Sequence, residues 1–310
     1  MSIQDPLNPV QPDRRRFLKS VGIAGAVAAG TGLAFRPPRH PWQPWPLPKA
    51  LTDPPGELIR RMQQDLEEAL AGDHVPQWLM VVDTRKCVGC DSCTVACRAE
   101  NPTPPERGFR RVVKIELTLG LRPISIFKPT NCVQCDDPPC AKAVPEGLIT
   151  KREDGIVEFD LVNLKGDYAR AAQEACPFDA VLIDSGETFT EDTPWPQPYE
   201  ERAFEENGQV FQRIPGANPL EGSARKCTFC SHLLAEGVLP ACVSTCLGGA
   251  MYFGDATNPD SVVVEALGGR ETLDKPYALE VGPRVIHLEE PMPGASSLDC
   301  NVCHVPGGGV

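Results

Sequence analysis

Cysteines at positions 87, 90, 93 and 97, in the pattern C-x-x-C-x-x-C-x-x-x-C, restrict what this chain can become more than any other feature of it. Three thiols in a seven-residue loop, with a fourth about one helical turn further on, suit a polynuclear iron-sulfur core. Zinc is the competing reading, but zinc sites take separated pairs of ligands. The device recurs at Cys227, Cys230, Cys242 and Cys246. In tandem runs of this kind the last cysteine ligates the cluster of another run, so runs are read in pairs.

Two further runs are incomplete. The segment NCVQCDDPPCAKAVPEG supplies Cys132, Cys135 and Cys140, but Val144 stands where a fourth ligand belongs. Between Gly166 and Pro177 only Cys176 survives; counting back from it by the first run's spacing lands on Ala172, Ala169 and Gly166. An alkyl side chain cannot ligate iron.

The 14 Cys sit beside 33 Pro, with only 11 Phe, 4 Trp and 4 Tyr in 310 residues. Such a chain is rich in loops and braced by something other than a large aromatic core. A net charge of -12 argues against nucleic acid as a partner, because phosphate demands a basic face. Residues 13 to 19, DRRRFLK, followed by the glycine-rich apolar run from Val21 to Phe35, read as a twin-arginine export signal over residues 1–36. That run is short for a membrane span, an uncleaved anchor being the competing reading. Oxidising compartments favour disulfides. The alternative function is therefore a disulfide-braced exported binding or structural protein with degenerate metal sites. The twin-arginine route exports folded, cofactor-loaded proteins, which makes export and cluster runs compatible.

Residues 37–77 form a proline-rich spacer and an amphipathic helix, Glu57 to Leu70, with Leu58, Ile59, Met62, Leu66 and Leu70 at helical spacing. Strands are expected at Trp78 to Asp83, Val112 to Leu119, Ile124 to Lys128, Gly155 to Asp160 and Arg284 to Glu289. The polar, proline-rich passage from Ser185 to Pro219 is expected at the surface, with a strand near Gln209 to Ile214. A helix is expected near Asp260 to Leu267. The cluster-binding domain then spans 78–290, leaving a tail at 291–310.

That tail contains Cys300, Asn301, Val302, Cys303 and His304, a C-x-x-C-H haem c attachment sequence. Cys300 and Cys303 would form the thioethers and His304 would be the axial iron ligand; a Cys300–Cys303 disulfide is the competing reading. Candidates for a sixth ligand are Met292, His287, His232, Met251 or a partner subunit. His40 and His74 read as surface residues.

The PPC at Pro138 to Cys140, GIVEFD at 155 to 160, CPF at Cys176 to Phe178 and AMYFGD at 250 to 255 complete a resemblance that covers residues 78 to 255. The chain resembles the ferredoxin-like electron-transfer subunits of complex iron-sulfur molybdoenzymes and their relatives: polysulfide reductase, formate-dependent nitrite reduction systems and the membrane complex associated with dissimilatory sulfite reductase. The resemblance implies an α+β fold of two pseudo-symmetric dicluster ferredoxin-like halves with inserted strands and loops. It implies one [4Fe-4S] cluster on Cys87, Cys90, Cys93 and Cys176, and another on Cys132, Cys135, Cys140 and Cys246. Cys227, Cys230 and Cys242 would face Val144 and hold a [3Fe-4S] cluster or a labile [4Fe-4S]. Cys97, opposite Gly166, Ala169 and Ala172, is expected to be a lone buried thiol. The empty position is expected at an end of the array, or beside a partner's cofactor that replaces it, since an unbridged gap in the middle would stop tunnelling.

The implied function is that of a non-catalytic electron-transfer subunit in a periplasmic, membrane-associated respiratory complex. Electrons would pass through the clusters and one haem c, between a polytopic quinone-interacting membrane subunit and a molybdopterin subunit or multihaem cytochrome c. That makes the chain part of a hetero-oligomer. No general acid-base constellation accompanies the cysteines, so a catalytic reductase is disfavoured.

Overall fold

A computed structural model describes residues 52–119, 122–188, 202–214, 217–268 and 281–288. The twin-arginine segment, the proline-rich spacer before residue 52, and Cys300, Cys303 and His304 lie outside the described residues.

The strand Trp78–Asp83, WLMVVD, is buried at all six positions. An unbroken apolar run of this length suits a strand covered on both faces. It is the middle of a three-stranded sheet. On one side it pairs antiparallel with Met251–Asp255, Trp78 opposite Asp255 and Val82 opposite Met251. On the other it runs parallel to Val285–Leu288, Met80 opposite Val285 and Asp83 opposite Leu288.

The helix Pro55–Ala71 starts on proline, whose missing N–H costs nothing in a first turn. Its apolar stripe buries Leu58, Met62, Leu66 and Ala69, while Leu70 stays exposed. The stripe packs on the Met251–Asp255 strand, where the Phe253 N–H points at Met62 Sδ, 3.2 Å away. Each of these larger side chains contributes about 1.5–3 kcal/mol through burial. Arg61 ties the helix to Glu265 and Asp53, and the Val262 N–H donates to Asp65 Oδ2 at 2.6 Å. The helix thus packs into the core built around the Trp78–Asp83 strand. At the centre Trp78 stacks on Phe253 and Phe229 meets Phe253 edge-on, with ring centroids 5.6 and 5.4 Å apart.

The remaining strands form two-stranded ribbons. Arg111–Leu119 pairs with Arg122–Thr130, Ile115 opposite Ile126, as the alternation predicts. Ile149–Lys151 pairs with Val157–Phe159, and Leu182–Ile183 with Ala224–Arg225. Phe204–Glu206 and Gln209–Phe211 are joined by Asn207 and Gly208, both at positive φ, the backbone that Asn-Gly hairpins require.

The passage from Ser185 to Pro219 is only partly a surface excursion. Arg213 from this passage donates to Asp184 at 2.7 and 2.8 Å, Arg225 donates to Asp184 at 2.8 Å and to Glu206 at 2.6 Å, and all four side chains are buried. Pairing of this kind offsets the cost of taking the charges out of water.

Short sheets and short helices make the architecture α+β, arranged around two apolar cores. One surrounds the Trp78–Asp83 strand. The other gathers Ile149, Val157, Phe159, Leu161, Leu164 and Val181 among its members.

Candidate metal centres

The cysteines gather into three groups of four. Cys87, Cys90, Cys93 and Cys246 line one cleft, with Lys86 and Met251. Cys132, Cys135, Cys140 and Cys176 line another, with Pro138, Phe178 and Lys226. Cys97 is buried on the helix Ser92–Glu100, which packs against Ala241–Ser244 and its Cys242, with Cys227 and Cys230 completing a third group. Asn101 links that third group: its Nδ2 lies 3.5 Å from Cys230 Sγ and 3.9 Å from Cys97 Sγ.

These groups correct the expected ligand sets in two ways. Cys176 and Cys246 change places, and Cys97 is not a lone thiol. The cause is strand register. Antiparallel pairing of Val82 with Met251 continues as the Asp83 N–H bonding to the Ala250 carbonyl at 2.8 Å, which carries Cys246 to the start of the first run. Gly248 permits the approach, since a Cβ there would sit 2.5 Å from the Lys86 carbonyl oxygen. Cys176 instead follows the helix Gly166–Glu174, which packs against Pro139–Lys142 and so meets the second run.

Val144 does not face Cys227, Cys230 and Cys242. It packs in the second core with Ala169 and Ala172, both fully buried, beside Cys140 and Cys176. The position of a fourth group is filled by hydrocarbon. With Cys97 in place the third group has four sulfurs, which removes the ligand-count argument for [3Fe-4S].

The backbone shapes each group similarly. Asp91, Gln134, Phe229 and Cys230 all sit in the left-handed region, in or beside the C-x-x-C turns. Backbone N–H groups point at sulfur: Phe229 to Cys227 Sγ at 3.4 Å, Ala180 to Cys176 Sγ at 3.4 Å and Ala250 to Cys246 Sγ at 3.2 Å. Asn131 Nδ2 adds a fourth donor, 3.6 Å from Cys227 Sγ. Donors aimed at sulfur favour its ionised, metal-bound form.

Burial opposes that ionisation until metal arrives. It pushes the Cys93 and Cys227 thiols up to about 11 and those of Cys135 and Cys140 up to about 12. Cys97 and Cys230, both enclosed, are raised as well. Cys90 at the exposed edge goes the other way, lowered by hydrogen bonds from Ser92. Iron binding would therefore displace protons from the buried thiols.

The donor set fits a polynuclear core. Among the described residues no three or more His, Cys, Asp or Glu side chains converge closely enough to hold a single metal ion. A zinc tetrahedron would draw its sulfurs to about 3.8 Å from one another. Thiols spread around a cleft suit a cluster in which each iron meets one of them. Every described cysteine is a free thiol.

Two buried cations accompany the groups, and sequence reading missed both. Lys226 Nζ donates to the Cys227 carbonyl at 3.0 Å and lines the Cys132 cleft. Arg110 donates from Nη2 to Asn131 Oδ1 at 2.9 Å, with Met80 Sδ 3.0 Å from the same nitrogen. Only Arg110's place just before an alternating strand hinted at it. Of the suggested haem ligands, His232 meets Glu100 at 2.8 Å, His287 meets the Pro129 carbonyl at 2.8 Å, and Met251 is buried. His74 is half exposed and meets Asp255 at 2.6 Å.

Residues 124–192 and 207–256 match the family model described as a 4Fe-4S dicluster domain. The B-type subunit of selenate reductase from Mesobacillus selenatarsenatis is 41% identical over 233 residues, which cover 75% of this chain and 79% of that one. The corresponding tetrathionate reductase subunit of Salmonella typhimurium is 33% identical over 285 residues, 89% of this chain and 87% of the relative. Its polysulfide reductase counterpart from Wolinella succinogenes is 27% identical, covering 70% of this chain and 97% of the relative.

Proposed function

Because this protein belongs to the 4Fe-4S dicluster family of reductase iron-sulfur subunits, we propose that it holds three [4Fe-4S] clusters and relays single electrons through them. The carrying observation is the grouping of twelve cysteines into three sets of four. Each cluster, when bound, takes up and returns one electron without breaking a substrate bond. The chain's own residues hold the sulfurs, aim N–H groups at them and exclude water with two apolar cores.

The groups follow one another in space. Cys93 of the first feels Cys242 of the third, and Cys227 of the third feels Cys132 of the second. Val144, Ala169 and Ala172 share their core with Cys140 and Cys176 of the second group and with no cysteine of the others. This supports an array ordered first, third, second, with its apolar gap at the far end. The two cores support two ferredoxin-like halves, one of which has kept both of its clusters.

The relatives are named as single components of reductases, which supports a hetero-oligomer in which this chain is the non-catalytic relay. By resemblance the partners are a molybdopterin subunit or multihaem cytochrome c and a polytopic quinone-interacting membrane subunit. Residues 14–16 direct export to the periplasm by the twin-arginine route, and Cys300, Cys303 and His304 attach one haem c.

The test is iron and acid-labile sulfide analysis of anaerobically purified protein, with EPR through a redox titration. Three four-iron clusters are expected; a protein without paramagnetic iron would return the chain to the disulfide-braced alternative. Haem is tested separately by its absorption after denaturation, expected to vanish in Cys300→Ala/Cys303→Ala.

A further inference from the structure

Arg110 is enclosed, with 2% of its surface exposed. Its Nη2 is committed to Asn131, whose own Nδ2 turns to Cys227 Sγ. Its Nη1 has no hydrogen-bond partner. An unmet buried donor costs about 1–3 kcal/mol, and more when charged. Such a group is retained where something absent from the polypeptide meets it.

What faces Arg110 is sulfur. Burial works against its charge, but Cys242, Cys93, Cys227 and Cys97 outweigh that and hold its pKa raised. Three of those sulfurs belong to the third group and one to the first. The counter-charge of this guanidinium is thus the thiolate charge of the metal centres, which exists in full only when iron is bound. Lys226, whose Nζ is already hydrogen-bonded to the Cys227 carbonyl, is the cation that acts on Cys140 of the second group.

We propose that Arg110 is a positioning residue for electron transfer: its Nη1 donates to the sulfur of the third group's cluster, and its fixed charge raises that cluster's reduction potential. The inference rests on the proposed clusters. Reduction adds one electron and no proton, so the reduced cluster is the more negative and gains more from the cation. The first group's cluster shares the effect through Cys93. The second group's cluster, served by Lys226, does not.

The experiment uses full-length, iron-loaded protein, the electrons coming from dithionite in a mediated titration followed by EPR. Arg110→Met is expected to lower the third cluster's reduction equilibrium constant about tenfold, about 59 mV for one electron, leaving the Cys132 cluster unchanged. Arg110→Lys keeps the charge and most of the potential. A loaded Arg110→Met protein with unchanged potentials, or with all three shifted alike, overturns the role. Where Arg110→Met fails to load, wild-type protein carrying guanidino-15N arginine decides the question by spin-echo spectroscopy. A 15N coupling on the reduced third cluster supports the role and its absence overturns it. Wild-type protein that contains no third cluster overturns the proposed function along with it.

Discussion

Cys97 and Cys230, far apart in sequence, lie against the same Asn101 carboxamide nitrogen, at 3.9 and 3.5 Å. The last cysteine of the first run therefore serves the last run's metal centre. Replacing Cys97 with Ala is expected to reduce bound iron by about one third and to remove the EPR signal that Cys230→Ala removes. Unchanged iron content in Cys97→Ala would restore that cysteine to a lone thiol.

The exchange of Cys176 and Cys246 is tested the same way. Cys246→Ala should abolish the signal lost in Cys87→Ala, because both line one cleft. Cys176→Ala should match Cys132→Ala. The opposite correspondence would refute the grouping directly.

Filling the lost position more tightly should cost stability without touching iron. Ala169 has no exposed surface, so Ala169→Leu overpacks the second core by about 1–3 kcal/mol. The thermal midpoint of the loaded protein should fall while iron content holds. Val144→Cys alone should add no fourth cluster, since Gly166, Ala169 and Ala172 still offer no thiols.

The Asp184 ion cluster carries a pH signature. Burial pushes the Asp184 carboxyl up, but Arg213 and Arg225 outweigh it and hold the pKa below the usual carboxylate range. A depressed folded-state pKa stabilises above the unfolded value of about 3.9 and is lost as pH falls through the lower folded value. Asp184→Ala should cost about 3–5 kcal/mol at neutral pH because it takes the carboxylate from buried Arg213 and leaves buried Arg225 with Glu206 alone. Thermal midpoints of the two proteins, compared from about pH 7 downward, should converge only in strong acid.

Much of the fold is legible in local pattern. WLMVVD, the stripe from Leu58 to Leu66 and the ribbon at 111–130 announce themselves, because burial on one or both faces imposes a period on the residues. The cysteine turns are equally plain. Which cysteines meet is a different kind of information. It depends on Val82 lying opposite Met251 and on Gly248 clearing Lys86, contacts that no single run encodes. Val144, Ala169 and Ala172 are legible as non-ligands, yet their meeting in one core is not. Arg213 escapes for another reason: in a polar, proline-rich stretch a charge destined for burial looks like any solvated one.

The three sulfur groups are nested along the polypeptide like concentric parentheses. The innermost runs from Cys132 to Cys176, the next from Cys97 to Cys242 and the outermost from Cys87 to Cys246. Closing a loop costs entropy that rises by about 0.6 kcal/mol per doubling of length, so each inner closure shortens the contour left for the one outside it. Synthesis from the N-terminus releases the last ligands in the same order, 176, then 242, then 246. Loading from the inside outward is therefore the path of smallest entropy loss. The group that holds the exposed Cys90 is the last to become complete.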